Sequence, residues 1–562
     1  MDQISQESKK KNILEPLFVA VLIPLMLFIV VPIEIYSNNI DELKFSLGDF
    51  IFMSLIIFVV VSLINFLILF FVPKKIYKVL KGLNLALATL LFVQGSYLNI
   101  GLNSLMGDNL ASSDASATFI SIDILIWIFT ISLFVILGIV KTKKTTLSTM
   151  SLILCVALFF SQIISPISIF ASNPSIVTSA ANKNSEGQTY FLSQKGLASL
   201  ASTNNVYYFC IDRFDELFAE KAIVEDPHIF DDFEGFTWFQ DYISLYAHTF
   251  PAISTMLTEK EYDGSKSRID FLNEVYTGET ALSKMSENGY TVKLYTDSYY
   301  SFNKASNLPD YIENKLVVKD FRITDYFKLS LCMTGLSLYR CLPFGIKNFL
   351  SAIDTAKLNS YAECFSEDNY IEYETSNEKN GNYISHALFE VTEEKQFSFI
   401  HFEGCHEISN KKYNTKSIKY CINLIKYYLN ALRENDLYDN STIIITGDHP
   451  DAVDDQSEVK QPRRAALFIK PSNSSSEPLK TSQAQVSQTN IWPTIFKSEN
   501  IEYTGTKSAF EIDENEDQIR YHHFHTYNFP LIDYVYKITG NGKLFENWEK
   551  VDENYFAKSL MD

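Results

Sequence analysis

Residues 442–452, "TIIITGDHPDA", set an aspartate beside a histidine just after a run of β-branched residues. Residues 442–446 have the composition of a buried strand, because branched side chains suit a covered, pleated surface. Asp448 and His449 then fall at its C-terminal edge, where open α/β sheets bind ligands, and both are ordinary ligands for a divalent metal. On this stretch alone, a helix-capping aspartate beside a surface histidine explains the pair equally well. Asp212, one residue after "VYYFC", offers a carboxylate from another strand end, or else a cap for the helix that "ELFAEKA" suggests. In "YAHTFPAISTMLT", Thr249 precedes Pro251 and the helical spacing of Ile253, Met256 and Leu257. A hydroxyl placed there meets the positive end of a helix dipole, a setting that favours an anionic group such as phosphate; a plain N-cap is the alternative.

These residues need a scaffold. The strand-like runs "VYYFCID", "YTVKLYT", "FSFIHFEG", "TIIITGD" and "AALFIKP" alternate with helical ones. Between the third and fourth, Ile418, Cys421, Ile422, Ile425, Tyr428, Leu429 and Leu432 form an apolar stripe at helical spacing. Strands separated by helices imply a mainly parallel sheet covered on both faces. Three of those strands end in potential chemistry: Asp212, the pair His401 and His406, and the pair Asp448 and His449.

The chain has 562 residues, 47% of them hydrophobic, and the apolar ones crowd into the first third. Residues 17–36, 51–72, 83–100, 119–140 and 147–170 are five runs, each about long enough to cross a hydrocarbon core of roughly 30 Å. The third carries Asn84, Gln94 and Ser96, which places it inside the bundle, where polar side chains find partners. Lys9 to Lys11, then Lys74, Lys75, Lys78 and Lys81, then Lys141, Lys143 and Lys144 flank alternate ends, while Asp41, Glu42, Asp49, Asp108 and Asp114 fill the other loops. By the positive-inside rule the N-terminus is cytoplasmic and everything after residue 170 is outside. The expected organisation is a transmembrane domain over 1–170, a Ser- and Asn-rich linker over 171–205, and one extracytoplasmic α/β domain over 206–562. A formal net charge of −19 argues against nucleic acid or anionic lipid headgroups as electrostatic partners, and simple solubility is the preferred reading. Among seven cysteines, Cys332 and Cys341 sit nine apart in an expected extracytoplasmic loop, which leaves a disulfide open. In "RYHHFHTYN", His523 and His525 would share one strand face, but no nearby Cys or acid completes a metal set, so a half-buried aromatic strand is the better reading. Arg463 and Arg464 are left as a solvated turn or an anion contact.

The chain resembles the membrane-embedded, sulfatase-like branch of the alkaline phosphatase superfamily, which includes lipoteichoic acid synthases and phosphoethanolamine transferases. In that family a strand-end acid, a Thr at a helix start and an Asp-His pair hold one divalent metal, and these match Asp212, Thr249, Asp448 and His449. A G-x-H segment whose histidine contacts the phosphoryl group matches Gly404, Cys405 and His406. "SQTNIWPTIF" and "GTKSAFEI" look like the family's tail. The resemblance implies an alkaline phosphatase-like (sulfatase) fold, one Mn2+, Zn2+ or Mg2+ ion, and Thr249 as nucleophile. It also implies a membrane phospholipid donor and a cell-surface glycan or lipid acceptor.

Departures refine this expectation. Arylsulfatases carry an oxidised Cys within C-x-P-S-R, whereas Thr249 and Ile253 stand in the Cys and Arg places, which favours phosphate over sulfate esters. Pro450 replaces the usual Gly after the Asp-His pair and biases His449 towards extended geometry. "TDSYYSFNKAS" replaces the Phe-Trp-Asn-Arg segment of the glycerol phosphate polymerising synthases, so the transferred group stays open. Two rivals remain: a phosphodiesterase or sulfatase that hydrolyses without transfer, and a sensor on the same fold with a degraded site. Reporter fusions after Lys143 and after Ser185 are expected on opposite sides of the membrane; both on one side would overturn this topology.

Overall fold

The computed structural model describes residues 13–40, 43–98, 117–139, 144–177, 189–347, 355–405, 415–451, 461–474, 477–525 and 533–553. The chain divides into two compact units: Met1–Thr189 with Lys319–Phe365, and Tyr190–Val318 with Ser366–Asp562.

In the first unit, five helices are long and apolar enough to cross a membrane: Leu14–Asn38, Leu47–Phe71, Lys74–Leu98, Thr118–Leu137 and Ser151–Ser172. Some of their polar groups are paired within the bundle, since an unsatisfied group in hydrocarbon is costly. Asn65 Nδ2 donates to Asn84 Oδ1 at 2.8 Å, and Trp127 Nε1 donates to Gln94 Oε1 at 3.0 Å. Cys332 and Cys341 are free, and both lie on the helix Tyr326–Cys341 rather than in a loop. Nine residues of helix rise about 13 Å, while a disulfide needs Cα atoms within roughly 7 Å. The disulfide left open above is therefore excluded by geometry.

The second unit is built on a seven-stranded sheet. Its strands are β1 (Ser199–Ile211), β2 (Thr237–Ile243), β3 (Thr291–Tyr295), β4 (Glu390–Phe402), β5 (Ser441–Thr446), β6 (Leu467–Lys470) and β7 (Lys480–Ser487). The order is β7-β2-β6-β5-β1-β4-β3. All neighbours are parallel except β6, which runs antiparallel to both β2 and β5. The five strand-like runs named above thus supply β1, β3, β4, β5 and β6. β2 and β7 are additional, and β7, "KTSQAQVS", is a polar edge strand whose composition hides it. β1 begins inside the stretch read as linker, with Leu200, Ala201 and Asn205 buried there; the Asn205 side chain binds both the N–H and the C=O of Ala201.

Both sheet faces are covered. Along β1, Val206, Tyr208 and Cys210 enter one apolar cluster, and Tyr207, Phe209 and Ile211 the other. Successive strand side chains point to opposite faces, so a run apolar at every position must be buried on both. The helix Thr415–Glu434 covers the second cluster with the predicted stripe, Ile418 through Leu432.

A three-stranded antiparallel sheet, β8 (Ile519–His525), β9 (Asp533–Thr539) and β10 (Trp548–Glu553), follows. "RYHHFH" is therefore strand, as expected, and its histidines position a loop. His522 Nδ1 donates to the Ser244 carbonyl at 2.8 Å, and His523 exchanges backbone hydrogen bonds with Leu245 and Ala247. Arg520 adds a fork to Asp241, with Nη1–Oδ1 at 3.0 Å and Nη2–Oδ2 at 3.2 Å. The segment leading to Thr249 is thus held on one side by β8.

Burial pushes the His522 pKa down from 6.5 to about 4. A depressed histidine is neutral in the fold and takes up a proton on unfolding, so its contribution is whole above pH 6.5 and is lost as pH falls towards 4. The loss amounts to about 3 kcal/mol. Melting temperatures are expected to fall over that window, and His522→Asn to flatten the slope; an unchanged slope in the variant would contradict the assignment.

Candidate active site

Strand register builds the site. β4, β1 and β5 are adjacent and parallel, with Cys210 opposite both His401 and Thr446. Residues paired across parallel strands share a face, and so do residues two apart. His401, Asp212 and Asp448 therefore emerge on one side of one sheet edge. Their donor atoms all lie within 4.8 Å of one another and all three residues are buried, a grouping that could hold a metal.

Close backbone approach lets the strand ends converge. Gly404 has φ +60, and a Cβ on it would stand 2.4 Å from the Asp212 carbonyl oxygen. A Cβ on Gly447 would stand 2.7 Å from the Phe214 carbonyl oxygen. Arg213, at φ 57, turns the chain after Asp212 so that its N–H donates to Asp448 Oδ1 at 3.1 Å. A non-glycine residue in that region costs of order 1 kcal/mol, so the turn is maintained by its surroundings.

The capping alternatives fail. Asp215, not Asp212, caps the helix Glu216–Glu225, accepting from Leu217 N–H at 2.8 Å. At the helix Thr249–Thr258 the N-cap position is His248, and no side chain caps it. The Thr249 hydroxyl instead stands 3.5 Å from His449 Nε2 and reaches the Asp448 carboxylate. His449 Nε2 is also 3.6 Å from Asp212 Oδ1 and 3.5 Å from Asp448 Oδ2. All four residues expected at the site are thus brought together.

Pro450 aids the arrangement. Its carbonyl lies 2.6 Å from His449 Nδ1. A carbonyl only accepts, so Nδ1 carries a proton, and in the neutral ring Nε2, on the side of the carboxylates, is the nitrogen with the lone pair. An outer contact that fixes the tautomer in this way is the usual companion of a metal-ligating histidine.

The donor set fits a divalent cation. Asp212 Oδ1 and Asp448 Oδ2 are buried and accept no hydrogen bond from the described residues. Burial first, then the charge of Asp448, push Asp212 well above the usual carboxylate range, and Asp297 and Glu403 add to this. Burial likewise raises Asp448, although His401 and two backbone N–H groups oppose it. Four donors about 2.1 Å from one tetrahedral centre stand roughly 3.4 Å apart, close to the 3.5–3.6 Å separations around His449 Nε2.

His401 is a site residue that the sequence reading left unassigned. It is buried, its Nδ1 lies 3.1 Å from Thr296 Oγ1, and only strand register reveals that it shares a face with Asp212 and Asp448. His406 lies outside the described residues. The chain reaches it through Cys405, whose N–H donates to the Asp212 carbonyl at 3.0 Å. Arg464 is buried and donates to the Gln240 carbonyl, away from the metal set.

No protein-family model matches the chain, and no curated protein matches it. Solved structures similar to it include a protein in the alkaline phosphatase superfamily from Vibrio parahaemolyticus, at 10% identity, covering 66% of this chain and 88% of that one, TM-score 0.36. Another is the phosphonate monoester hydrolase SpPMH from Silicibacter pomeroyi, at 11% identity, 63% and 90% coverage, TM-score 0.37. The PsFucS1 sulfatase from Pseudoalteromonas sp. follows at 12% identity, 62% and 82% coverage, TM-score 0.36. Sheet order, register and side-chain positions carry the reading of this chain on their own.

After stripping with EDTA, added Mn2+ or Zn2+ is expected to raise the melting temperature of the purified chain. At a hundred times Kd the gain would be about 2.7 kcal/mol. Asp448→Asn is expected to melt cooperatively without responding to metal; a full response in that variant would contradict the ligand set.

Proposed function

We propose that this chain is a membrane-anchored, metal-dependent phosphotransferase. It moves a phospho-group, such as glycerol phosphate or phosphoethanolamine, from a membrane phospholipid to a cell-surface glycan or lipid. The observation that carries the reading is the Thr249 hydroxyl, partly exposed, set 3.5 Å from His449 Nε2 beside two buried carboxylate oxygens that accept no hydrogen bond from the described residues. Asp212, Asp448 and His449 would hold the cation, with Thr249 facing it and His401 beside it. A mixed carboxylate and imidazole set suits Zn2+ or Mn2+ better than Mg2+. When bound, such an ion stabilises an alkoxide at neutral pH and offsets charge gathering on phosphoryl oxygens.

The chain's own residues account for the rest. Thr249 gives up its proton to solvent and its Oγ1 attacks phosphorus, while the bond from phosphorus to the lipid alcohol breaks. His406, in the G-x-H place, is suited to donate a proton to the departing alcohol or a hydrogen bond to the phosphoryl group. An acceptor hydroxyl then displaces Thr249 from phosphorus, so one difficult step becomes two easier ones. A threonine nucleophile, where arylsulfatases carry an oxidised cysteine, supports phosphoryl over sulfuryl chemistry. The lysine distribution supports an extracytoplasmic site, and five apolar helices keep the chain in the bilayer that holds the donor.

Thr249→Ala is expected to fold and to lose turnover. Ser254, the nearest hydroxyl in the helix, is buried and donates to the Pro251 carbonyl at 3.0 Å. Thr249→Ser is expected to keep part of the activity, because the oxygen remains. Release of diacylglycerol from phosphatidylglycerol and phosphatidylethanolamine measures this, and full activity in the alanine variant refutes the mechanism. Mass spectrometry of glycan and lipid products, with water as competing acceptor, separates transfer from hydrolysis.

A further inference from the structure

The segment Lys319–Phe365 interrupts the α/β unit in sequence, yet it belongs to the unit of the five apolar helices. Its neck is an antiparallel pair, Asp320–Ile323 with Ala362–Phe365. Its body is the helix Tyr326–Cys341, followed by the turn Phe344–Lys347.

Three polar contacts fix its level. Arg340 Nη2 is 2.9 Å from Glu34 Oε2, and Arg340 Nε donates to the Gly95 carbonyl at 3.3 Å. The Phe344 N–H donates to Asp123 Oδ2 at 2.7 Å. Glu34 lies near the end of the first apolar helix, Gly95 near the end of the third and Asp123 near the start of the fourth. In a chain that crosses and recrosses a bilayer, those three places lie at one face. Leu329, Met333 and Leu336 join a core cluster that includes Tyr36, Phe45 and Leu47, at the end of the first apolar helix and the start of the second.

The opposite side of this segment is apolar and open. Phe327 and Leu331, one helical turn apart, are 60% and 52% exposed, and Ile346 is 45% exposed. A soluble surface seldom offers so many large apolar groups together. The helix also packs against Leu47–Phe71, whose outward residues Phe52, Leu55 and Ile56 are themselves apolar and exposed. Lys328 sits beside Phe327, 63% exposed in its side chain and 3.1 Å from Asp325 Oδ2, which marks a polar level next to the apolar face.

The geometry points to a lipid surface as the partner of this face: Tyr326–Cys341 and Phe344–Lys347 form an in-plane membrane-surface element, with Phe327, Leu331 and Ile346 in the acyl boundary. Such helices bury an apolar face about 5–10 Å into the interface. Fastened to three spans at one end of the bundle, the element grips one leaflet without crossing it. This inference rests on the five apolar helices and not on the catalytic reading.

The test places the photoreactive residue p-benzoylphenylalanine at position 327 or 331 of the full chain. The protein is reconstituted in phosphatidylcholine vesicles that carry an alkyne-tagged phosphatidylcholine. Position 128, where Ile128 is 57% exposed on a membrane helix, is the lipid-facing control, and position 224, where Val224 is 82% exposed on the helix Glu216–Glu225, is the aqueous control. Lipid adducts at 327 and 331 are expected near the level of position 128 and several-fold above position 224. Adducts at the level of position 224, or cross-links to a second copy of the chain, would overturn the proposal while position 128 reports that the assay works. Size-exclusion profiles confirm folding, and two independent probe positions guard against one that disturbs it.

Discussion

Two carboxylates forced into one buried corner repel each other, and among the described residues neither finds a hydrogen bond for its inner oxygen. Asp212 and Asp448 arrive there because β1 and β5 are parallel neighbours that end at the same sheet edge. Without a cation, burial raises both, and the charge of Asp448 raises Asp212 further, so Asp212 is the one held protonated. Much of the surrounding structure is arranged to keep them in place. The left-handed turn at Arg213, the close approach at Gly404 and Gly447, and the backbone N–H groups on Asp448 Oδ1 all hold this corner.

Divided labour follows from that constraint. The three strands of the sheet centre, apolar on both faces, supply rigidity, and ligands placed at their ends inherit it. Thr249 comes from a loop instead, and that loop is gripped by β8 through Tyr246, His522 and His523. The histidine cluster near the C-terminus is therefore a brace for the loop of Thr249. A hydroxyl on a braced but partly exposed segment can face both the buried carboxylates and solvent.

Some of this was legible in the residues themselves. Runs such as "TIIITGD" announce strands because branched residues fill a two-sided sheet, and polar groups at their ends then stand out. The stripe from Ile418 to Leu432 marked its helix for the same reason. Other features depend on information that local pattern does not carry. His401 joins Asp212 and Asp448 through register between strands, which no single run encodes. The polar edge strand β7 lacks the apolar alternation that would reveal it. Cys332 and Cys341 resembled a loop pair until the helix separated them. The grouping of Lys319–Phe365 with the apolar helices arises from contacts between residues hundreds of positions apart, such as Arg340 with Glu34.

We infer that one divalent cation sits between these side chains. Crystals grown with Mn2+ and measured at the manganese absorption edge test it most directly. An anomalous peak is expected about 2.0–2.2 Å from Asp212 Oδ1, Asp448 Oδ2 and His449 Nε2, with the Thr249 hydroxyl facing it. A featureless site at saturating Mn2+, or a peak bound by other residues, would contradict the account and leave the two buried carboxylates as a strain with no cation to relieve it.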